Sequence, residues 1–196
     1  IWDADVRRML LTQKAIAEGG RAMIYAAAQT ADLMVDAARR QDRATQDKHD
    51  DTLGFYTPIL KGFLTEMGLE AANPGMQVFG GHGYIATLYE GTTGIQALDL
   101  LGRKVLLGTR GKCVRDFSRI MLRSAKAHWL AHGPIGRMAR STAKRAIEWN
   151  LLTLRIMRRV GKDRDLVGSA SVDYLMYSGY VMMAHFWARQ AAVAQT

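Results

Sequence analysis

Leu88-Tyr89-Glu90-Gly91-Thr92-Thr93-Gly94-Ile95-Gln96 sets a lone carboxylate in a Gly/Thr loop whose neighbours are apolar rather than charged. From Asp99 onward the residues favour helix, so Glu90 falls just upstream of a helix N-terminus. Two readings of the stretch are open. In one it is a capping loop, with Thr92 or Thr93 as the cap and Glu90 complementing the helix dipole. In the other, Tyr89 and Leu88 partly desolvate Glu90 and push its pKa toward the range of a general base. Local physics alone favours the first, and the surrounding chain has to decide.

Upstream lies Gln77-Val78-Phe79-Gly80-Gly81-His82-Gly83-Tyr84. Its glycines suit a helix C-cap, where positive φ is needed. They do not form a dinucleotide fingerprint, because no strand precedes them and their spacing is wrong. Before them, residues 3 to about 47 are expected to form one long helix with an apolar stripe at Val6, Leu10, Ile16, Met23, Ala27 and Leu33-Met34. Gly19-Gly20 inside it costs about 1 kcal/mol per glycine relative to alanine, and is expected to admit another helix closely. Asp42 to Asp51 is expected to be a polar turn with His49 on its surface. Thr57-Pro58 is expected to open the next helix and Asn73-Pro74 to interrupt or kink it.

Downstream, helices are expected over 96–107, 112–131, 134–160 and 166–194. His128 and His132 have the spacing of metal ligands on a helix, but Trp129 stands where a hydrolytic zinc helix needs glutamate. Both are read as structural, and no metal site is expected. Arg137, Arg140, Lys144, Arg155, Arg158, Arg159 and Lys162 form a basic stripe, expected opposite an apolar stripe of Met138, Ile147, Leu151, Leu154 and Met157. Tyr174 to Trp187, aromatic and methionine-rich at helical spacing, is expected to be core.

The chain has 196 residues, 48% of them hydrophobic, with three prolines and few β-branched runs, which points to an all-α fold. Its one cysteine, Cys113, excludes an intrachain disulfide and favours a reducing, cytoplasmic compartment. No apolar run reaches transmembrane length. Starting at Ile1 in mid-element, the chain is expected to be a fragment. Charge is uneven: residues 1–100 carry 9 Lys/Arg against 13 Asp/Glu, residues 101–196 carry 18 against 5. The second half is therefore expected to meet something anionic or an acidic surface.

Gln-x-x-Gly-Gly-x-Gly-Tyr at 77–84 followed by Tyr-Glu-Gly-Thr-x-x-Ile-Gln at 89–96 resembles the C-terminal helical domain of the flavin-dependent acyl-CoA dehydrogenases. The likeness is closest to a subgroup with an extra C-terminal helical region, which includes enzymes acting on 3-methylmercaptopropionyl-CoA. Asp5 to Gly19 and Leu98 to Leu106 are also similar to that subgroup.

The resemblance implies a four-helix-bundle-like domain over residues 1–107 and a basic helical extension over 108–196. It implies FAD as cofactor and Glu90 as catalytic base in α,β-dehydrogenation of an acyl-CoA thioester, as in fatty-acid β-oxidation. Gln77, Gly80, Gly81, Thr92 and Gln96 would contact FAD, the glycines by close backbone approach to a neighbouring subunit's cofactor. Tyr89 and Gly91 would border the substrate. The implied partners are the acyl-CoA, an electron-transferring flavoprotein and a second copy in a homodimer or higher homo-oligomer; nucleic acid is not among them. Where the family carries an additional segment of about a dozen residues with an Arg-Asp pair, Gly83-Tyr84-Ile85 here runs straight into Ala86-Thr87-Leu88. Omission and deletion are both open, and the matching flanks favour omission. The alternative function is a non-catalytic basic helical module that binds nucleic acid, membrane or a partner protein.

Overall fold

The computed structural model describes residues 4–79, 93–161, 163 and 165–194. Among these there are helices and turns but no strand: α1 (Ala4–Arg39), α2 (Arg43–Phe79), α3 (Thr93–Leu98), a π-helix (Asp99–Gly108), α4 (Lys112–Ala127), α5 (Gly133–Val160) and α6 (Leu166–Val193).

The first two helices correct the sequence expectation. α1 ends at Arg39, and the chain reverses through Gln41 in the left-handed region at φ 58°. The Asp42 side chain accepts the Thr45 N–H at 3.1 Å, and hydrogen bonds from Thr45 hold its carboxyl below the usual range. That cap starts α2, so Asp47 to Asp51 is helix and not turn. α2 then passes through Pro58 and Pro74 without a break. A proline inside a helix costs about 3 kcal/mol locally. Around Pro58 the burial of Phe55, Tyr56, Ile59, Phe63 and Met67 outweighs that cost.

One core runs through the molecule, from Met23 of α1 to Phe186 of α6. Its hub is Phe117 of α4, whose ring lies 6.4 Å from Phe55, 5.8 Å from Tyr56, 6.0 Å from Trp149 and 5.6 Å from His185. Four helices therefore meet at one aromatic cluster. Burial there pushes the Tyr56 phenol up to about 12. The expected core segment of α6 is borne out, with Tyr174, Leu175, Val181, Met182, Met183 and Phe186 buried.

Glycine sets how closely the helices approach. A Cβ on Gly19 would stand 2.7 Å from Trp187 Nε1 and 2.8 Å from Met183 Cγ. The indole N–H instead donates to the Ala15 carbonyl at 3.3 Å, tying α6 to α1. This is the close approach expected of Gly19-Gly20. Between α5 and α6, the Thr153 hydroxyl donates to the Trp149 carbonyl at 2.8 Å, so the Tyr174 hydroxyl donates to Thr153 at 2.7 Å.

Two further expectations are corrected in α4 and α5. His128 and His132 do not share a helix: α4 ends at Ala127, the His128 N–H caps it on Ala125 and Lys126, and His132 precedes α5. The buried face of α5 is Ile135, Ala139, Ala143, Ala146, Trp149, Thr153 and Ile156. Ile147, Leu151 and Leu154, expected on the face opposite the basic stripe, are 52%, 49% and 38% exposed and share the face of Arg140, Lys144 and Arg158. Small residues won the inner face because α4 packs on it through an Ala125–Ala139–Ala143 seam.

Candidate functional site

The site begins where α2 ends and resumes where α3 begins. Tyr89, Glu90, Gly91, Thr92, Gly80 and Gly81 lie outside the described residues, as does the junction after Ile85. Gln77 and Gln96 remain, one on each flank.

Gln77 is exposed in the last turn of α2. Gln96 is half-buried in α3, with its Cβ 3.2 Å from where a Gly62 side chain would begin. The same spot on Gly62 is 2.5 Å from Leu175 Cδ2, so Gly62 is the floor on which α3 and α6 both rest. From Gly62 to Gln77 is about 22 Å along the helix at 1.5 Å per residue. The fold therefore does not bring Gln77 and Gln96 together. It sets Gln96 of α3 beside Gly62 and leaves Gln77 near the far end of α2, each carboxamide both donor and acceptor.

α3 leads directly into the π-helix. Leu100, Leu101 and Val105 are fully buried there and form its inner face. Its end is closed by Thr109, whose N–H and hydroxyl both reach the Lys104 carbonyl, at 3.1 and 2.9 Å. Asp99 and Arg103 form an ion pair on its outer side. π-helical turns are rare and recur beside functional sites, and this one immediately follows the Glu90 stretch. Ile95 and Leu98 leave the outer face of α3 apolar, 68% and 49% exposed.

The Cys113 sulfur lies 3.1 Å from the Thr109 hydroxyl oxygen, and burial pushes its thiol up, away from thiolate chemistry. No group of three or more His, Cys, Asp or Glu is set to hold a metal among the described residues. None of their helices is long and apolar enough to cross a membrane. Sequence reading missed the π-helix, the Thr153–Tyr174 link and the outward aliphatic ridge of α5. A signal for the last was available, since Ile147, Leu151 and Leu154 share their helical face with Arg140, Lys144 and Arg158.

Residues 115–196 match the family model described as acetyl-CoA dehydrogenase C-terminal like. The 3-methylmercaptopropionyl-CoA dehydrogenase of Ruegeria pomeroyi is 34% identical over 193 residues, covering 89% of this chain and 31% of that protein. A butyryl-CoA dehydrogenase of Syntrophomonas wolfei is 33% identical over 114 residues, 51% of this chain and 18% of that protein. A broad-specificity linear acyl-CoA dehydrogenase of Mycobacterium tuberculosis is 34% identical over 117 residues, 52% of this chain and 19% of that protein. The chain thus spans about a third or less of the length of these relatives.

Proposed function

The chain belongs to the acyl-CoA dehydrogenase family, and from that premise we propose that the protein carrying it oxidises an acyl-CoA thioester to a trans-2-enoyl-CoA. Glu90 is the general base. The observation that carries the reading is Tyr89-Glu90-Gly91-Thr92 itself, in a chain similar to such dehydrogenases over 89% of its length.

Glu90 takes the α proton, and the C–H electron pair becomes the new double bond as the β carbon gives up a hydride. The α C–H is a weak acid, so charge developing on the thioester oxygen needs fixed donors. The backbone N–H of Glu90 is one such donor in this proposal. In this proposal Gly91 would leave room for the acyl chain beside the carboxylate, and Tyr89 would keep the base out of bulk water.

Bound FAD would supply the hydride acceptor. The donor set is compatible with it: Gln77 near the end of α2 and Gln96 beside Gly62, about 22 Å back along that helix, would contact separated parts of a long dinucleotide. Gly80 and Gly81 would let backbone approach the cofactor, and Thr92 would add a hydroxyl. Electrons would leave to an electron-transferring flavoprotein. The proposal extends to a cytoplasmic homodimer or higher homo-oligomer. It also keeps a division into a bundle over 1–107 and an extension over 108–196, supported by the family match that starts at residue 115.

The test is product identity. The protein is produced with the segments its relatives carry and incubated without oxygen with butyryl-CoA or 3-methylmercaptopropionyl-CoA. A product lighter by two hydrogens, with the double bond trans at carbon 2, is expected in one equivalent per bound flavin. Saturated acyl-CoA recovered unchanged from flavin-loaded protein with every chain length tried would sink the reading.

A further inference from the structure

α5 carries a ridge that nothing in the proposed chemistry uses. Arg140, Lys144, Ile147, Leu151, Leu154 and Arg158 recur at alternating intervals of four and three, so they line one face of the helix over about 27 Å. That face is turned away from the core, since Trp149, Ala146 and Ile156 occupy the buried side. The three aliphatic side chains in its middle are between 38% and 52% exposed, and the three cations at its ends are all exposed. No carboxylate lies on the ridge. The one acid of α5, Glu148, sits to the side with Arg145 at 2.5 Å and Lys144 at 4.0 Å.

We propose that this ridge is a docking face for an anionic lipid surface. Charge complementarity makes the occupant anionic: Arg140, Lys144 and Arg158 flank the apolar centre, and residues 101–196 hold 18 Lys/Arg against 5 Asp/Glu. The aliphatic centre separates a lipid surface from nucleic acid, which gains nothing from three exposed leucine-like side chains. A second copy of this chain is disfavoured on the same face, because it would set Arg140, Lys144 and Arg158 of one copy against those of the other. A bilayer surface accepts a narrow ridge: the aliphatics enter the acyl boundary while the long basic side chains reach back to the headgroups. The helix lies on the membrane and does not span it.

The test is co-sedimentation of the protein with vesicles of phosphatidylcholine alone and with about 30 mol% phosphatidylglycerol added, and a titration with duplex DNA. Two variants are compared, Ile147→Ser/Leu151→Ser and Lys144→Gln/Arg158→Gln, with far-UV circular dichroism checking that each keeps its helix content. Binding is expected to the anionic vesicles and not to neutral ones. The serine pair is expected to lower partitioning about tenfold, and the glutamine pair to lower it and flatten its salt dependence. No sedimentation with anionic vesicles overturns the proposal, including the case in which another part of the protein covers the ridge. Binding to vesicles and DNA alike, unchanged by the serine pair, overturns it too, because only general attraction to polyanions would remain.

Discussion

Among the described residues, His185 is the one histidine sealed in the core, 1% exposed and packed edge-on against Phe117. Its Nδ1 has no hydrogen-bond partner among the described residues. It borders a cavity of about 10 Å³, a size that holds one water. Burial first, and the charge of Arg189 second, lower its pKa to about 4. The folded chain thus keeps it neutral, while the unfolded chain protonates it below about 6.5. Between those values the unfolded state binds more protons, so stability falls as pH drops through the window and is level below it. From about pH 7 to pH 5 the loss is about 2 kcal/mol. His128, which lines the same cavity, is half-buried and stays in both proteins compared. Urea unfolding at the two pH values is expected to show a clearly smaller loss in His185→Leu than in the wild type. Equal losses would remove His185 from the explanation.

Helix packing depends on a few glycines whose surroundings differ sharply. A Cβ on Gly179 of α6 would fall 2.1 Å from the Phe63 ring, whose side chain is itself fully buried. Gly179→Ala is expected to cost about 1–3 kcal/mol. Gly68, exposed on α2, has nothing within 4 Å of a new Cβ, and Gly68→Ala is expected to gain about 0.5–1 kcal/mol from helix propensity. Denaturant midpoints moving in the same direction for both would contradict the packing described. These contacts also explain what could be read in advance. α4 was legible because polar and apolar residues alternate there at helical period, and α6 because a long apolar run without proline reads as core helix. The unbroken α2 was not, because prolines are judged locally while burial of Phe55 and Ile59 is tertiary. The inner face of α5 was misread for a related reason. Hydropathy selects Ile147 and Leu151, whereas a close helix contact selects Ala139, Ala143 and Ala146. For the candidate site, the motif flanks were legible, but the separation of Gln77 from Gln96 along α2 depends on α3 folding back onto Gly62.

At the scale of the whole molecule, the chain is a part of what its relatives carry, covering 18% of the butyryl-CoA dehydrogenase. The chain also covers only 31% of the 3-methylmercaptopropionyl-CoA dehydrogenase. The 196 residues alone are therefore expected to retain no FAD through gel filtration, and a stoichiometric yellow complex would contradict that. The central claim is the role of Glu90, and flavin reduction by acyl-CoA in rapid mixing tests it most directly. With the protein loaded with FAD, Glu90→Gln is expected to keep its flavin content and to slow reduction by about 10²–10⁴-fold, the contribution of a general base. Reduction at the wild-type rate in that variant would contradict the account, and the loop would then be a helix cap and nothing more.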